Sequence, residues 1–287
     1  MNFLEKLNIT ADKFRSLVCL GLDPVLEDIP LEGSPKDKIV HFYEEILNKI
    51  LQEKVYPAAV KPNYAFYAQY GFEGLEALCQ VINLYQAEGL PVILDVKRGD
   101  IGKTAKAYAK EAFDFFKADA VTLSPFLGYD SLAPFIENYP DKGYYLLIKT
   151  SNTSSGEIQD ILYEENPFYL YLAKKLVTWH QAGLGAVVGA TYPEQFKEIA
   201  NLFFSSRKEI PFLVPGIGSQ GGDLAETVKT IVNFGNFKIH RINSSSAINY
   251  AYKKESNLSF AEAAVKALNN LNSEIQGLVD NFLGKTN

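Results

Sequence analysis

Cysteine, histidine and long apolar runs are all scarce in this chain. Its 287 residues include only two cysteines, Cys19 and Cys79, which lie far apart among apolar residues. This usage argues against a disulfide framework and favours buried, reduced thiols. The three histidines, His41, His180 and His240, are scattered. Because no cluster of His, Cys and carboxylate residues has the spacing of metal ligands, no bound metal is expected.

Positive charge is not in excess either. Lys and Arg number 28 against 34 Asp and Glu, a net charge of −6. Nucleic acids and anionic membranes both select basic surfaces, so neither is expected as a partner. No apolar run approaches the ~18 residues of a membrane span, and the sequence turns charged soon after Met1, which leads us to expect a cytoplasmic protein. An anionic small substrate stays compatible with this composition, because it needs only a local positive pocket.

What the chain does contain is a regular alternation of short apolar stretches and longer segments of helical period. Such alternation is typical of βα units around a parallel sheet, and the continuous apolar runs suit strands buried on both faces. Eight strands are predicted, at 17–22, 58–61, 92–96, 120–123, 144–149, 186–189, 212–214 and 239–242. With no linker dividing them, they predict an α/β fold: a closed (β/α)8 TIM barrel forming a single domain over residues 1–287.

Prolines and apolar spacing predict where several helices lie. Proline follows Ser34, Asn166 and Tyr192, in each case where a first helical residue would stand. Helical periodicity predicts two buried faces, formed by Ile39, Phe42, Tyr43, Ile46 and Ile50 and by Ala105, Tyr108, Ala112 and Phe115. In a barrel of this kind the chemistry lies at the carboxyl ends of the strands, and phosphate commonly binds after strands seven and eight.

The densest group of charges follows the third predicted strand. Asp95 and Lys97 should point to the same side, since side chains alternate along a strand, and Asp100 should lie at the start of the next helix. Lys61 ends the second strand and should emerge beside Asp95 at the same mouth. A solvated cluster of exposed ion pairs is the plain alternative. An alternating Lys, Asp, Lys, Asp array would instead hold a lysine charged beside a carboxylate, ready to stabilise a carbanion or deliver a proton.

A glycine-rich segment, VPGIGSQGGD at 214–223, follows the seventh predicted strand. Glycines let backbone N–H groups approach a phosphate at a helix N-terminus. The spacing from Gly216 to Gly221 also spells GxGxxG, but no acidic residue stands about 20 positions on, at 236–241, as a dinucleotide-binding fold would require. A phosphate loop and an ordinary tight turn both fit these glycines.

Taken in order, these segments resemble the orotidine 5′-phosphate decarboxylase family, specifically its longer bacterial branch. The resemblance runs from about Phe14 to Ala251, and it is carried by CLGLDP at 19–24, KPN at 61–63, DVKRGDIGKT at 95–104, KTSN at 149–152 and PGIGSQGGD at 215–223. It implies decarboxylation of orotidine 5′-monophosphate to UMP without a cofactor. The implied catalytic residues are Lys61, Asp95, Lys97 and Asp100.

The resemblance also implies how substrate and subunits are held. Asp23 would contact the ribose, Ser151 would meet the pyrimidine, and the loop with Gly218 and Gln220 would bind the phosphate. A homodimer is implied, with Asp100 and Thr104 reaching into the neighbouring site.

One position departs from the family pattern. After the eighth strand the family has Asn-Ser-Ser-Arg-Ala-Ile, whereas this chain has NSSSAI at 243–248, with Ser246 in place of the arginine that would grip the phosphate. The change removes a bidentate, always-charged donor and leaves Gln220, backbone N–H groups and the Ser246 hydroxyl to bind phosphate.

Two other functions are compatible with parts of this pattern. A Mg²⁺-dependent sugar-phosphate synthase or decarboxylase of the same superfamily keeps the DxKxxD motif, although such relatives tend to place an acid where this chain has Lys61. A nucleotide-binding barrel that has lost catalysis is suggested by Ser246 alone.

Overall fold

The structure, a computed structural model, describes residues 1–217, 222–233, 235–255 and 257–284. Within them, eight parallel strands alternate with helices. The strands are β1 Val18–Leu22, β2 Ala59–Pro62, β3 Ile93–Arg98, β4 Ala120–Leu123, β5 Gly143–Lys149, β6 Leu184–Val188, β7 Phe212–Val214 and β8 Arg241–Ser244. The helices are α1 Phe3–Phe14, α2 Pro35–Glu53, α3 Tyr64–Ala68, α4 Gly71–Ala87, α5 Gly102–Lys110, α6 Tyr129–Ile136, α7 Gly156–Gln159, α8 Phe168–Trp179, α9 Pro193–Ser205, α10 Leu224–Asn233, α11 Ser246–Asn249 and α12 Phe260–Gly284.

The strands form a barrel. Each of β1 to β8 pairs in parallel with its neighbour in the chain, and β8 pairs with β1. Between β2 and β3 the pairing is reduced to two parallel bridges, Val60 with Val92 and Asn63 with Asp95. The predicted (β/α)8 TIM barrel is therefore confirmed, and the carboxyl ends of all eight strands face one end of the molecule.

The opposite end of the barrel is closed by α1. Phe3 and Leu7 pack into an interior cluster with side chains from the strands, including Cys19, Ile93, Tyr145, Val187 and Leu213. The fully buried Arg241 donates from Nη2 to the carbonyl oxygen of Leu7 at 2.6 Å and to Oγ1 of Thr10 at 2.9 Å. Arg241 therefore holds α1 against the barrel, at the end opposite the carboxyl ends of the strands.

All eight predicted strands agree with the observed ones to within two residues at each end, and only the eighth is shifted by two residues at both ends. The prediction placed it at 239–242, but Phe237–Ile239 form a 3₁₀ turn and the strand runs over Arg241–Ser244. The apolar character of Ile239 comes from its place in the interior cluster rather than from a strand. Both cysteines are free, and Cys19 is fully buried while Cys79 is only partly buried.

Two predictions about helices are wrong in detail. Asn166–Pro167 pairs with Leu162–Tyr163 in a small antiparallel ribbon, so the helix begins at Phe168 and the proline caps it instead of opening it. Phe115 was expected on a buried face, yet it is 65% exposed. The segment Glu111–Phe115 is a π-helix, whose wider turn changes the period and buries Phe113 instead. The proline-led starts of α2 and α9 and the buried face of α2 are confirmed.

Candidate active site

Asp95 and Lys97 meet at the mouth of the barrel through an irregular stretch of β3. The register between β3 and β4 moves from Leu94 opposite Val121 to Arg98 opposite Leu123, so four residues of β3 pass two of β4. Lys97 itself has a left-handed backbone, with φ of 48°. Simple alternation along a regular strand, which predicted that Asp95 and Lys97 share a side, is therefore not how the two side chains come together.

A buried carboxylate lies between two lysines. Nζ of Lys61 donates to Oδ2 of Asp95 at 2.9 Å, and Nζ of Lys97 donates to Oδ1 at 2.6 Å. Lys61 and Asp95 are 6% and 7% exposed, whereas the Lys97 side chain is 48% exposed. Lys97 is thus the member of this triad that solvent or a substrate can reach.

The charges of the triad stabilise one another. Burial by itself would raise the pKa of the Asp95 carboxyl, but Lys61 and Lys97 together hold that pKa well below its usual range. Burial would likewise lower the pKa of Lys61, yet the carboxylates of Asp95 and Asp23 raise it above its usual value. Both groups are therefore ionised throughout the neutral pH range.

Asp95→Asn is expected to destabilise the protein by about 3 to 5 kcal/mol at neutral pH, because Lys61 would be left buried with its carboxylate partner removed. A carboxyl whose pKa is lowered by folding adds to the free energy of unfolding at pH values above its unfolded-state pKa, and this contribution is lost as the pH falls. A lysine whose pKa is raised by folding adds to the free energy of unfolding at pH values below its unfolded-state pKa. The pair therefore contributes fully between about pH 4 and about pH 10. Below about pH 4 the wild-type advantage should shrink by up to about 1.4 kcal/mol per pH unit.

Urea unfolding of wild type and variant at several pH values measures this difference. Asp12→Asn is the matched control, because Asp12 pairs with Lys238 at 2.7 Å on the surface, where an ion pair contributes under about 1 kcal/mol. Equal losses for the two variants, or an Asp95→Asn loss that does not change between neutral and acidic pH, would contradict the account.

Asp100 and Thr104 do not join the triad within one chain. The prediction placed Asp100 at the start of a helix, but α5 begins at Gly102 and its N-cap is Ile101, whose N–H donates to Oδ1 of Asp100 at 2.8 Å. None of the ion pairs among the described residues includes Asp100. Thr104 is exposed on the first turn of α5.

A pocket of about 320 Å³ opens among the loops that follow β1, β2, β7 and β8. Asp23 and Ser246, both predicted to bind substrate, line it, and so does Asn243, whose buried Oδ1 has no hydrogen-bond partner within the described residues. Oδ1 of Asp23 accepts the N–H of Asn63 at 3.2 Å, which ties the pocket to the strand end that carries Lys61. The other described residues lining it are Val25, Phe66, Pro215, Gly216, Ile217, Ser244, Ser245, Ala247 and Tyr250.

The loop after β5 fixes the backbone of Ser151. Lys149 is fully buried, and its Nζ pairs with Oδ1 of Asp160 at 2.6 Å. The N–H of Thr150 donates to Oε1 of Gln159 at 2.9 Å, and Oγ1 of Thr191 donates to the carbonyl oxygen of Ser151 at 3.3 Å. The predicted pyrimidine-contacting residue is therefore held from both sides of its loop. The predicted phosphate ligands Gly218 and Gln220 lie outside the described residues.

Sequence reasoning missed two polar residues of this region. Thr122 hydrogen-bonds to Asp95 and to the backbone of Lys97, and Tyr250 accepts the N–H of Val25 at 2.7 Å and donates to the carbonyl oxygen of Asp23 at 3.0 Å. A lone hydroxyl within the otherwise apolar segment 120–123 was the available signal for Thr122. Nothing in the local sequence pointed from Tyr250 to the distant loop after β1.

Two features are absent from the part of the chain that the structure describes. No helix there is both long and apolar enough to cross a bilayer. No group of three or more His, Cys, Asp or Glu side chains there could hold a metal ion.

Comparisons with known proteins agree on one family. Residues 16–257 match the family model described as orotidine 5′-phosphate decarboxylase / HUMPS family. The orotidine 5′-phosphate decarboxylase of Herpetosiphon aurantiacus is 42% identical over 271 residues, covering 92% of this chain and 94% of that protein. The enzyme of that name from Janthinobacterium sp. (strain Marseille) is 39% identical over 269 residues, covering 92% and 94%.

A solved structure gives the same relationship in three dimensions. The OMP decarboxylase of Leishmania donovani superposes with a TM-score of 0.76 at 33% identity, covering 96% of this chain and 99% of that one. The match extends over the barrel and the residues at its mouth, so this chain belongs to the orotidine 5′-phosphate decarboxylase / HUMPS family.

Proposed function

We propose that this protein decarboxylates orotidine 5′-monophosphate to UMP, as the relatives' names indicate. The observation that carries the proposal is the Lys61, Asp95, Lys97 triad, in which a buried carboxylate is hydrogen-bonded to two ammonium groups and one of these is half-exposed. It lies at the end of the barrel where such folds carry their chemistry. The neighbouring pocket, lined by Asp23 and Ser246, has room for part of a nucleotide.

The triad supplies the charges that this reaction requires. When the bond between C6 and the carboxylate breaks, CO₂ leaves and the electron pair stays on C6, with no cofactor to delocalise it. Lys97 stabilises this carbanion and then transfers a proton from Nζ to C6, and solvent restores that proton afterwards. Asp95 faces the departing carboxylate and favours its loss by repulsion. Lys61, buried against Asp95, keeps that carboxylate ionised and in place.

The substrate would extend from this triad along the barrel mouth. Asp23 binds the ribose and Ser151 contacts the pyrimidine. The phosphate lies at the ends of β7 and β8, held by Gly218, Gln220 and Ser246. None of the described residues lining the pocket is a lysine or arginine. Arg241 lies at the other end of the barrel and Lys253 pairs with Asp28, so neither substitutes for an arginine at position 246.

Ser246→Arg is expected to raise kcat/KM by roughly tenfold or more, because a charge-assisted hydrogen bond to phosphate contributes roughly 1.5 to 3 kcal/mol. Ser246 is exposed at the first residue of α11, so the longer side chain has room. Ser246→Gln is the matched control, with similar reach and no charge. The gain should appear mainly in KM if the phosphate is bound equally in ground and transition states. Steady-state kinetics of the three forms give the answer, and an arginine form no better than the glutamine form would show that position 246 does not face the phosphate.

The active assembly is a homodimer in which Asp100 and Thr104 serve the neighbouring site. Asp100 has no ion pair among the described residues of its own chain, and Thr104 is exposed beside it. Large apolar side chains stand near them in the loops after β3 and β4: Ile101, Phe126 and Leu127 are 55%, 76% and 46% exposed. The two loops are adjacent, since the N–H of Ser124 donates to the carbonyl oxygen of Arg98 at 2.7 Å. Apolar residues of this kind are typical of a buried subunit interface.

A spectrophotometric assay with orotidine 5′-monophosphate tests the proposed function. We expect loss of the orotate absorbance with formation of UMP, at a rate that a chelator does not change. Turnover that a chelator abolishes and Mg²⁺ restores would favour the metal-dependent sugar-phosphate enzymes of the superfamily. Tight binding of uridine nucleotides without turnover would favour a barrel that has lost catalysis.

A further inference from the structure

Groups of β3 occupy every hydrogen-bonding position of the Thr122 hydroxyl. Thr122 lies in β4, 1% exposed, between apolar neighbours. A threonine hydroxyl offers one donor and two acceptor positions. It donates to Oδ1 of Asp95 at 2.8 Å, and it accepts the N–H groups of Val96 at 3.0 Å and Lys97 at 2.9 Å.

These three contacts fall on the irregular part of β3. A bulge leaves backbone groups of the strand without their ladder partners. Here Oγ1 of Thr122, on the neighbouring strand, accepts the N–H groups of Val96 and Lys97, and Lys97 is the residue with the left-handed backbone. A lysine rarely adopts this backbone conformation unless its surroundings require it. The hydrogen bonds that the Thr122 hydroxyl accepts from Val96 and Lys97 favour this conformation.

We propose that Thr122 is a positioning residue that holds Lys97 against Asp95 for proton transfer. The same oxygen binds the backbone N–H of Lys97 and the carboxylate oxygen that accepts Nζ of Lys97 at 2.6 Å. The Thr122 hydroxyl therefore restrains Lys97 directly at its backbone N–H and indirectly, through Asp95, at its ammonium group. This role rests on the proposed function, since it concerns the same lysine, but it adds a buried residue from β4 that acts through Lys97 and Asp95.

Thr122→Val and Thr122→Ser separate this role from mere filling of space. Valine keeps the branched shape and removes the hydroxyl, whereas serine keeps the hydroxyl and removes a methyl group. Thr10→Val is the matched control at the other end of the barrel, because Thr10 is also buried and its hydroxyl donates to the carbonyl oxygen of Lys6 at 2.9 Å and accepts from Arg241.

Steady-state kinetics with orotidine 5′-monophosphate give the first readout. We expect Thr122→Val to lower kcat on the order of 10²-fold, as a misplaced catalytic group does, with KM changed less than about threefold. Thr122→Ser should retain most of kcat, and Thr10→Val should lose thermal stability while keeping kcat. A Thr122→Val enzyme with more than about a third of wild-type kcat, or a serine variant as impaired as the valine variant, would overturn the proposal.

A crystal structure of Thr122→Val tests the position of Lys97 independently of activity. We expect the left-handed conformation at Lys97 to relax and Nζ to move away from Asp95. An unchanged φ and an unchanged contact between Lys97 and Asp95 would overturn the positioning role. If wild type itself fails to turn over the substrate, the proposed function fails, whereas this structural result still decides whether Thr122 sets the geometry.

Discussion

Lys97→Ala is expected to lower kcat by on the order of 10³-fold or more while the fold persists, because the variant loses both the main cation beside C6 and the proton donor. The fold should tolerate the change, since the Lys97 side chain is 48% exposed and Lys61 continues to neutralise Asp95 at 2.9 Å. Circular dichroism and thermal unfolding check the fold, and steady-state kinetics check turnover. Lys197→Ala, at an exposed position on α9, is the control for the loss of a lysine.

Retention of more than about a tenth of wild-type kcat/KM by Lys97→Ala would remove Lys97 from the role of proton donor. Loss of activity together with loss of the folded state would instead show that the ion pair with Asp95 is chiefly structural. The two results are distinguishable because stability and turnover are measured on the same preparation.

Mixing two inactive variants is expected to restore activity. In the proposed homodimer each site combines Lys97 of one chain with Asp100 of the other. Asp100→Ala should therefore inactivate the site of the neighbouring chain, and Lys97→Ala should inactivate the site of its own chain. A hybrid dimer then contains one site with both defects and one site with neither, so a random mixture should recover roughly a quarter of wild-type activity if half of the dimers are hybrid and the subunits add independently.

Native mass spectrometry of the mixture confirms that subunits have exchanged. Recovery of activity in proportion to the hybrid fraction supports a shared site. An inactive mixture with confirmed exchange would mean that each site is built from one chain, and Asp100 would then have to reach the triad by a movement of its own loop.

The positions of the strands and the proximity of Lys61 to Asp95 were predictable because both follow from local patterns and from closure of the barrel. Continuous apolar runs locate the strands, and closure of a barrel brings their carboxyl ends together, so Lys61 on β2 and Asp95 on β3 had to be neighbours. The contact of 2.9 Å between Nζ of Lys61 and Oδ2 of Asp95 in the structure agrees. These inferences need no knowledge of side-chain packing.

The details that failed depend on interactions between distant segments. The bulge at Lys97 forms around a hydroxyl on another strand, and alternation within β3 carries no information about it. The π-helix at Glu111–Phe115 shifts the buried face, and Glu111 at its start makes a bidentate contact with Arg98, 13 residues earlier. Pro167 pairs in a ribbon instead of opening a helix because Leu162 lies opposite it. Local propensity predicts an element, whereas such tertiary contacts decide its boundaries.

A single-turnover reaction of chelator-treated protein, in excess over orotidine 5′-monophosphate labelled in its carboxyl carbon, tests the central claim most directly. The account predicts that labelled CO₂ and UMP form in equal amounts with one rate constant, in wild type and not in Lys97→Ala. Substrate that binds to wild type and is recovered unchanged would contradict it.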